Sequence, residues 1–467
     1  MDTGAERSGH EPFFTQERSF YRMLFSMLVM VALQNLVAYS VNMIDNIMLG
    51  KYSQTALSGA ATVNQIFFLV QQVSIALCDA LVILASQYYG QGRMTPVRKV
   101  TGLALKAGFA CGLFFSVLCA LFPASVLGIF TRDEAIVGEG TAYMRILLFT
   151  FPLFILTSML LAALRCVGTV KIAFYVSVAS LLVNASVNYT LIFGRFGFPR
   201  MGIRGAAVGT LIARALEFVI VLGYVRWKDQ RLRLFSENFL SSSRELAGDF
   251  VRVAVPVLLA GVLWAVSVPM QTAILGHLPG PDASDAIAAN SVAMTFYQYL
   301  KVVVSAMASA SAVVMGQSVG RGDLRRIHSD ARTLSVIDVG IGLVLAFLLF
   351  VLRGPLLAQY SLTQNALRLA DQIIIVMCFV MVGMAYQMPV CNGVLRGSGD
   401  TTFTMVLNLV SVWLIVMPLS FLCAFVWRLP VPAVVLAIQS DQIFKGIPVF
   451  LRVRSGRWIR HLTRDRE

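Results

Sequence analysis

Apolar residues in this chain come in long runs of about 20 residues or more, the length a helix needs to cross the hydrocarbon core of a bilayer. Six runs fill the first half, at 20–49, 62–87, 100–122, 144–164, 174–193 and 206–225. Six more fill the second, at 253–275, 287–313, 334–352, 373–394, 403–425 and 432–450. A polar, basic stretch at 226–252 separates the two sets. With lipid as the solvent, backbone groups must be satisfied within each segment. The pattern therefore predicts an all-α integral membrane protein of twelve transmembrane helices.

Composition agrees. Of 467 residues, 57% are hydrophobic and 13% charged, against roughly 25% charged in an ordinary soluble domain. The polar residues Met1 to Arg18 carry no evident cleavable signal. A net charge of +14 in a soluble protein would suggest nucleic acid, but here the basic residues sit in short loops between apolar runs, so no nucleic-acid partner is expected. Their distribution sets the orientation. With the N-terminus inside, Arg93, Arg98, Lys99, Arg165, Lys171, Arg321, Arg325, Arg326, Arg332, Arg396 and the cations of the central linker and the tail all face the cytoplasm. Both termini are expected there, which requires an even number of spans, and the expected location is the plasma (inner) membrane. The seven cysteines lie within or at the ends of apolar runs without zinc-ligand spacing and read as packing residues.

The halves repeat at a spacing of about 230 residues, a length expected of one six-helix unit with its loops. Gln87-x-x-Gly90-x-Gly92 matches Gln317-x-x-Gly320-x-Gly322, Leu164-Arg165-x-x-Gly168 matches Leu395-Arg396-x-x-Gly399, and Leu49-Gly50 matches Leu275-Gly276. Six spans per half make both halves enter the membrane in the same sense, giving two parallel lobes around a central cavity. The expected division is an N-terminal segment (1–19), an N-lobe (20–227), a linker (228–250), a C-lobe (251–452) and a basic tail (453–467).

The repeat breaks where polar groups enter the apolar runs. Asp45 aligns with Gln271, and Asn184 and Asn188 align with Ile415 and Leu419. On the predicted first, fifth and sixth helices, Asp45, Asn188 and Thr210 each lie roughly 7–9 Å below the outer boundary, with Asn184 one turn deeper on the face of Asn188. A carboxylate, two amide oxygens and a hydroxyl at matched depth suit a sodium ion, and the same carboxylate can instead carry a proton. Interhelical hydrogen bonding is the plain structural use of the same Asn and Thr residues. Arg214 and Glu217, one and two turns from Thr210, are spaced to pair with each other; Arg214 could alternatively reach Asp45. Asn35, Gln65, Gln72 and Lys301 are further coupling or cavity candidates, with Asp79 continuing the polar stripe of Gln65 and Gln72. Asp441 and Lys445, at i and i+4, suit an ion pair.

Several stretches together resemble the multidrug and toxic-compound extrusion (MATE) family: Val41-Asn42-Met43-Ile44-Asp45-Asn46-Ile47-Met48-Leu49-Gly50, Val183-Asn184 through Asn188-Tyr189-Thr190 to Gly194, Gly202-Ile203-Arg204-Gly205-Ala206-Ala207, Leu395-Arg396-Gly397-Ser398-Gly399-Asp400-Thr401, and Arg454-Ser455-Gly456-Arg457-Trp458. The match runs from about Phe20 to Trp458. The resemblance implies an alternating-access antiporter in which entry of H+ or Na+ drives out amphipathic, often cationic compounds, with no cofactor and no enzymatic step. It assigns Asp45 to coupling, and Asn184, Asn188 and Thr210 to the cation site. Position 188 is Asn where some members have Asp. The C-lobe lacks the carboxylates of one family branch, having Trp264 and Ala265, then Ala385 and Tyr386, nearby. Small organic substrates and membrane lipid are the expected partners, with the protein a monomer. The alternative is a flippase for lipid-linked or polyprenyl-linked sugars, for which Arg214 and Lys301 would supply a cationic cavity. HExxH, GxSxG and nucleotide-loop motifs are absent from the sequence.

Overall fold

The computed structural model describes residues 14–463 except 132, 237, 238, 240, 242, 243, 279–282, 361 and 362. Of the expected N-terminal segment and basic tail, residues 1–13 and 464–467 lie outside the described residues. All regular structure among the described residues is helical. The first half contains α1 (Arg18–Tyr52), α2 (Gln54–Gly90), α3 (Met94–Leu121), α4 (Pro123–Gly128), α5 (Glu134–Leu147), α6 (Thr150–Cys166), α7 (Lys171–Phe193) and α8 (Ile203–Gly223). The second contains α9 (Arg244–Gly276), α10 (Ala283–Arg321), α11 (Leu324–Leu357), α12 (Gln364–Met388), α13 (Thr401–Leu409), α14 (Met417–Phe421), α15 (Val431–Ile438), α16 (Asp441–Phe444) and α17 (Gly446–Arg454). Among the described residues ten helices are long and apolar enough to span a membrane, and two bent pairs bring the count to twelve. Small polar side chains start several of them: Ser53 caps α2, Asp133 α5, Asp323 α11 and Thr363 α12, each accepting a hydrogen bond from a first-turn N–H.

The helices run past the apolar cores read from the sequence, and two spans are broken where single helices were expected. The fourth bends by 50° between α5 and α6. Pro152, in the first turn of α6, cannot donate to the carbonyl of Leu148. The Ser116 hydroxyl of α3 donates to that carbonyl at 2.7 Å instead, and the Thr150 hydroxyl donates to Leu147 O at 2.6 Å. The twelfth bends by 43° between α15 and α16, at the polar run Gln439-Ser440-Asp441. Arg226 and Lys228 lie in a π-helical turn that continues α8 (Tyr224–Lys228), and α9 starts at Arg244.

The outer surface is apolar. Phe114, Leu121, Leu343, Val344, Phe347 and Phe379 are each more than half exposed, an arrangement suited to lipid rather than water. The lobes meet along α1 and α2 against α10, and α2 against α9. One hydrophobic core fills the first lobe and crosses into the second through Met307, Val314, Ile327, Leu334 and Val394. A separate core, with Tyr297, Leu349, Met377 and Val434, fills the rest of the second lobe. The lobes are therefore fused at the end that carries Thr15 and Leu462, the terminal end of the molecule.

Candidate functional site

Asp45 on α1, Asn184 and Asn188 on α7, and Thr210 on α8 come together as the fixed rise of an α-helix requires of residues at equal depth. The Asn188 amide donates to Asp45 Oδ1 at 2.6 Å and to Asn184 Oδ1 at 3.2 Å. The Asn184 amide donates to Thr210 Oγ1 at 3.4 Å, and the Thr210 hydroxyl donates to Ala206 O. Asn184 and Asn188 are buried, and Asp45 is half-buried. Asn188 Oδ1 is buried without a donor, so the cluster holds an unused acceptor beside a carboxylate. Tyr143 of α5, which the sequence reading did not single out, is buried with its hydroxyl toward Thr210 and lies within electrostatic range of Asp45 and Arg214. Its position in the bent fourth span hid its depth.

Close packing of α8 on α7 makes this cluster sensitive to Gly209. A Cβ there would lie 1.9 Å from Asn188 Oδ1. The asparagine side chain is the part that can yield, and yielding carries its amide away from Asp45. Gly209→Ala is expected to lower stability by about 1–3 kcal/mol and to weaken transport by a larger factor than that loss of fold explains. Thermal unfolding measured beside initial transport rates in vesicles checks this.

Arg214 is engaged by its own helix: it pairs with Glu217 at 2.7 Å and lies 5.1 Å from the Phe154 ring centroid. It stands within electrostatic range of Asp45, but the pairing between neighbours is the one formed here. The other candidates are dispersed. Asn35 donates to Ser305 Oγ across the lobes at 3.4 Å, Gln65 is exposed, and Gln72 is buried. Asp79 takes Arg396 of the opposite lobe at 3.0 Å. Lys301 stands 5.2 Å over the Trp264 ring, within electrostatic range of Asp441 and Lys445. That pair is formed at 2.7 Å, with Lys445 also donating to Asn408.

The repeated glycine motif is the hinge of contact between the lobes. A Cβ on Gly90 would stand 2.3 Å from Gln317 O, and one on Gly320 2.1 Å from Gln87 O. Each lobe thus sets its glycine against the backbone of the other lobe's glutamine. The second glycines, Gly92 and Gly322, have φ of 76° and 79° and turn the chain out of α2 and α10. Gln317 donates to Cys166 O, while Gln87 binds residues 460 and 462 of the tail, which is therefore not free. Asp400 receives Arg452 and Arg460. The start of the chain is tied down as well: the Thr15 hydroxyl donates to Asp330, and Arg326 donates from two nitrogens to Glu17. Burial works to raise the Glu17 carboxyl, but hydrogen bonds from Arg326 and Ser19 outweigh it and leave Glu17 below the usual carboxylate range. This clasp is thus present at neutral pH and is lost as pH falls through that lowered value.

Two lobes of this construction recur in known proteins. The MatE family model matches residues 31–190 and 256–422. The chain belongs to the MatE family. Among MatE relatives, the probable multidrug resistance protein YoeA of Bacillus subtilis is 24% identical over 432 residues, 91% of this chain and 92% of that protein. The probable multidrug resistance protein NorM of Thermotoga maritima is 25% identical, covering 93% of this chain and 92% of its own. The Vibrio cholerae MATE transporter VcmN in its bent form superposes with a TM-score of 0.83 at 17% identity, covering 94% of this chain and 97% of that one. A transporter of the MOP superfamily from Pyrococcus furiosus, for which a reversed polarity of the binding pocket is held to suggest a different function, gives 0.84 at 15% identity, covering 95% and 98%. This MatE chain is accordingly a multi-pass membrane transporter with the twelve-helix fold.

Proposed function

We propose that the protein is a secondary active multidrug exporter that antiports H+ or Na+ against amphipathic, cationic organic compounds by alternating access. The observation that carries this reading is the half-buried Asp45, held by Asn188 and adjoined by Asn184, Thr210 and an unused amide oxygen. Oxygen donors of this kind suit a hard cation, and the carboxylate alone suits a proton. Either ion displaces the Asn188 amide from Asp45 and so bears on how α1 packs against α7. The names of the multidrug resistance relatives support the substrate class. With the basic terminal end in the cytoplasm of a plasma (inner) membrane, the fused lobes describe the state closed to the inside, and release of that contact opens it. The protein acts as a monomer on small organic substrates within a lipid bilayer.

The test is efflux of a fluorescent lipophilic cation from reconstituted vesicles under an imposed proton or sodium gradient. Uphill efflux under one gradient is the expected result and identifies the ion. Silence under both, with folded protein, turns the assignment to the second reading, flipping of lipid-linked substrates. Lys301 over Trp264 favours that reading, since it offers an anionic headgroup a cation on an aromatic face.

A further inference from the structure

The second lobe carries a carboxyl group with no evident structural use. Asp338, in the middle of α11, is 1% exposed, and neither of its carboxylate oxygens has a hydrogen-bond partner. Among the described residues, α12 contributes one ionisable group within electrostatic range, the Tyr386 phenol. From α10, Lys301 interacts with Asp441 and Lys445 instead, and no described cation acts on Asp338.

The internal repeat shows what this position requires. Counting from the two glycine motifs, Asp338 corresponds to Gly108 and Gly342 to Gly112. In the first lobe a Cβ on Gly108 would stand 2.5 Å from Met159 and 2.8 Å from Ile155, and one on Gly112 2.7 Å from Pro152. Counting back from the Leu-Arg-x-x-Gly motifs, Ile155 corresponds to Tyr386, the neighbour of Asp338. Gly342 packs as Gly112 does, a Cβ there standing 2.7 Å from Ala385. The same two helices therefore cross in the same way in both lobes. The first lobe puts no side chain on α3 at that point, where Met159 and Ile155 of α6 fill the space, whereas the second places a carboxyl group there.

An ionised carboxylate taken from water without partners costs several kcal/mol. At the crossing of α11 and α12 no hydrogen bond is made to it and no opposite charge acts on it, so the crossing accepts the neutral acid. Water reaches Asp338 only in a conformation where the crossing loosens. We propose that Asp338 is a proton-carrying site of the second lobe, which holds its proton while α11 and α12 pack as described here and exchanges it with water when the lobe rearranges. The proposal rests on the transport reading and adds to it a second carboxyl that exchanges with solvent, distinct from Asp45. By linkage, acid then favours the conformation described here and alkali favours its rearrangement.

Infrared titration of the full-length reconstituted protein reads the carbonyl band of a neutral carboxyl group directly. The expected result is a band that is present in the wild type and in Asp45→Asn, absent in Asp338→Asn, and lost from the wild type as pH rises or as a lipophilic cation is added. Should Asp338→Asn fold poorly, Asp338→Gly reproduces the solution that Gly108 already uses. A spectrum unchanged in both variants overturns the proposal, as does a band that belongs to Asp338 yet responds to neither pH nor substrate. The band is read without transport. Absent wild-type efflux with a titrating Asp338 band would count against the transport reading and for the proton site; efflux without such a band overturns the proton site alone.

Discussion

Asp45→Asn is expected to leave a folded protein that binds a lipophilic cation and no longer drives it against a proton or sodium gradient. The substitution keeps the shape at position 45 and a side-chain oxygen that can accept from Asn188, so packing of α1 on α7 survives. It removes the charge that attracts a cation and the group that carries a proton. An ion shifts a two-state carrier only by its differential affinity for the two states. For a coupled carrier that difference is about 1–3 kcal/mol, a factor of roughly 5–150, and all of it disappears with the carboxylate. Efflux in vesicles and equilibrium substrate binding, measured on the same preparation, check the claim. Uphill transport at the wild-type rate would remove Asp45 from the coupling mechanism.

Gly90→Ala and Gly320→Ala are each expected to hold the lobes apart at the terminal end. The atoms that a new Cβ would meet are backbone atoms of Gln317 and Gln87, and backbone cannot step aside as a side-chain tip can. Overpacking of this kind costs about 1–3 kcal/mol. In the alternating-access cycle proposed above the lobes part at this contact, so that cost falls on the closed state alone and changes its population by roughly 5–150-fold. Spin labels on Lys171 and Leu324, exposed at this end of the two lobes, should report a longer separation. Gly138→Ala and Gly340→Ala serve as controls, since a Cβ at either meets nothing within 4 Å. Unchanged distances in both Gly90→Ala and Gly320→Ala would show that the lobes part elsewhere.

Helix rise is the reason the Asp45 cluster was legible in the sequence. A constant 1.5 Å per residue converts a count from Gly50, Gly194 and Gly205 into depth, and residues at one depth on neighbouring helices meet. The spacing of Arg214 and Glu217 likewise sufficed for their ion pair. Direction is what such counting loses. The bend at Pro152 turned α5 away from the axis of α6, so Tyr143 could not be placed beside Thr210, although the proline itself was a readable signal. Asp338 was passed over because one acid in an apolar run barely lowers its hydropathy, and only the packed crossing shows that the acid has no partner. The clasp of Thr15 and Glu17 on α11 joins residues more than 300 positions apart, and nothing local in either segment announces it. The glycine motif was visible as a repeat, but its meaning lay in the opposite lobe.

That reciprocal contact has a consequence for how such a chain can change over generations. A carbonyl pressed against a missing side chain reads only the absence of a Cβ, and carries no information about the chemistry elsewhere in either half. After an ancestral doubling, each copy remains answerable to its sibling at Gly90 and Gly320 and is released almost everywhere else. One half carries Asp45 where the other has Gln271, and Gly108 where the other has Asp338, and neither difference lies in the contact by which the two fit together.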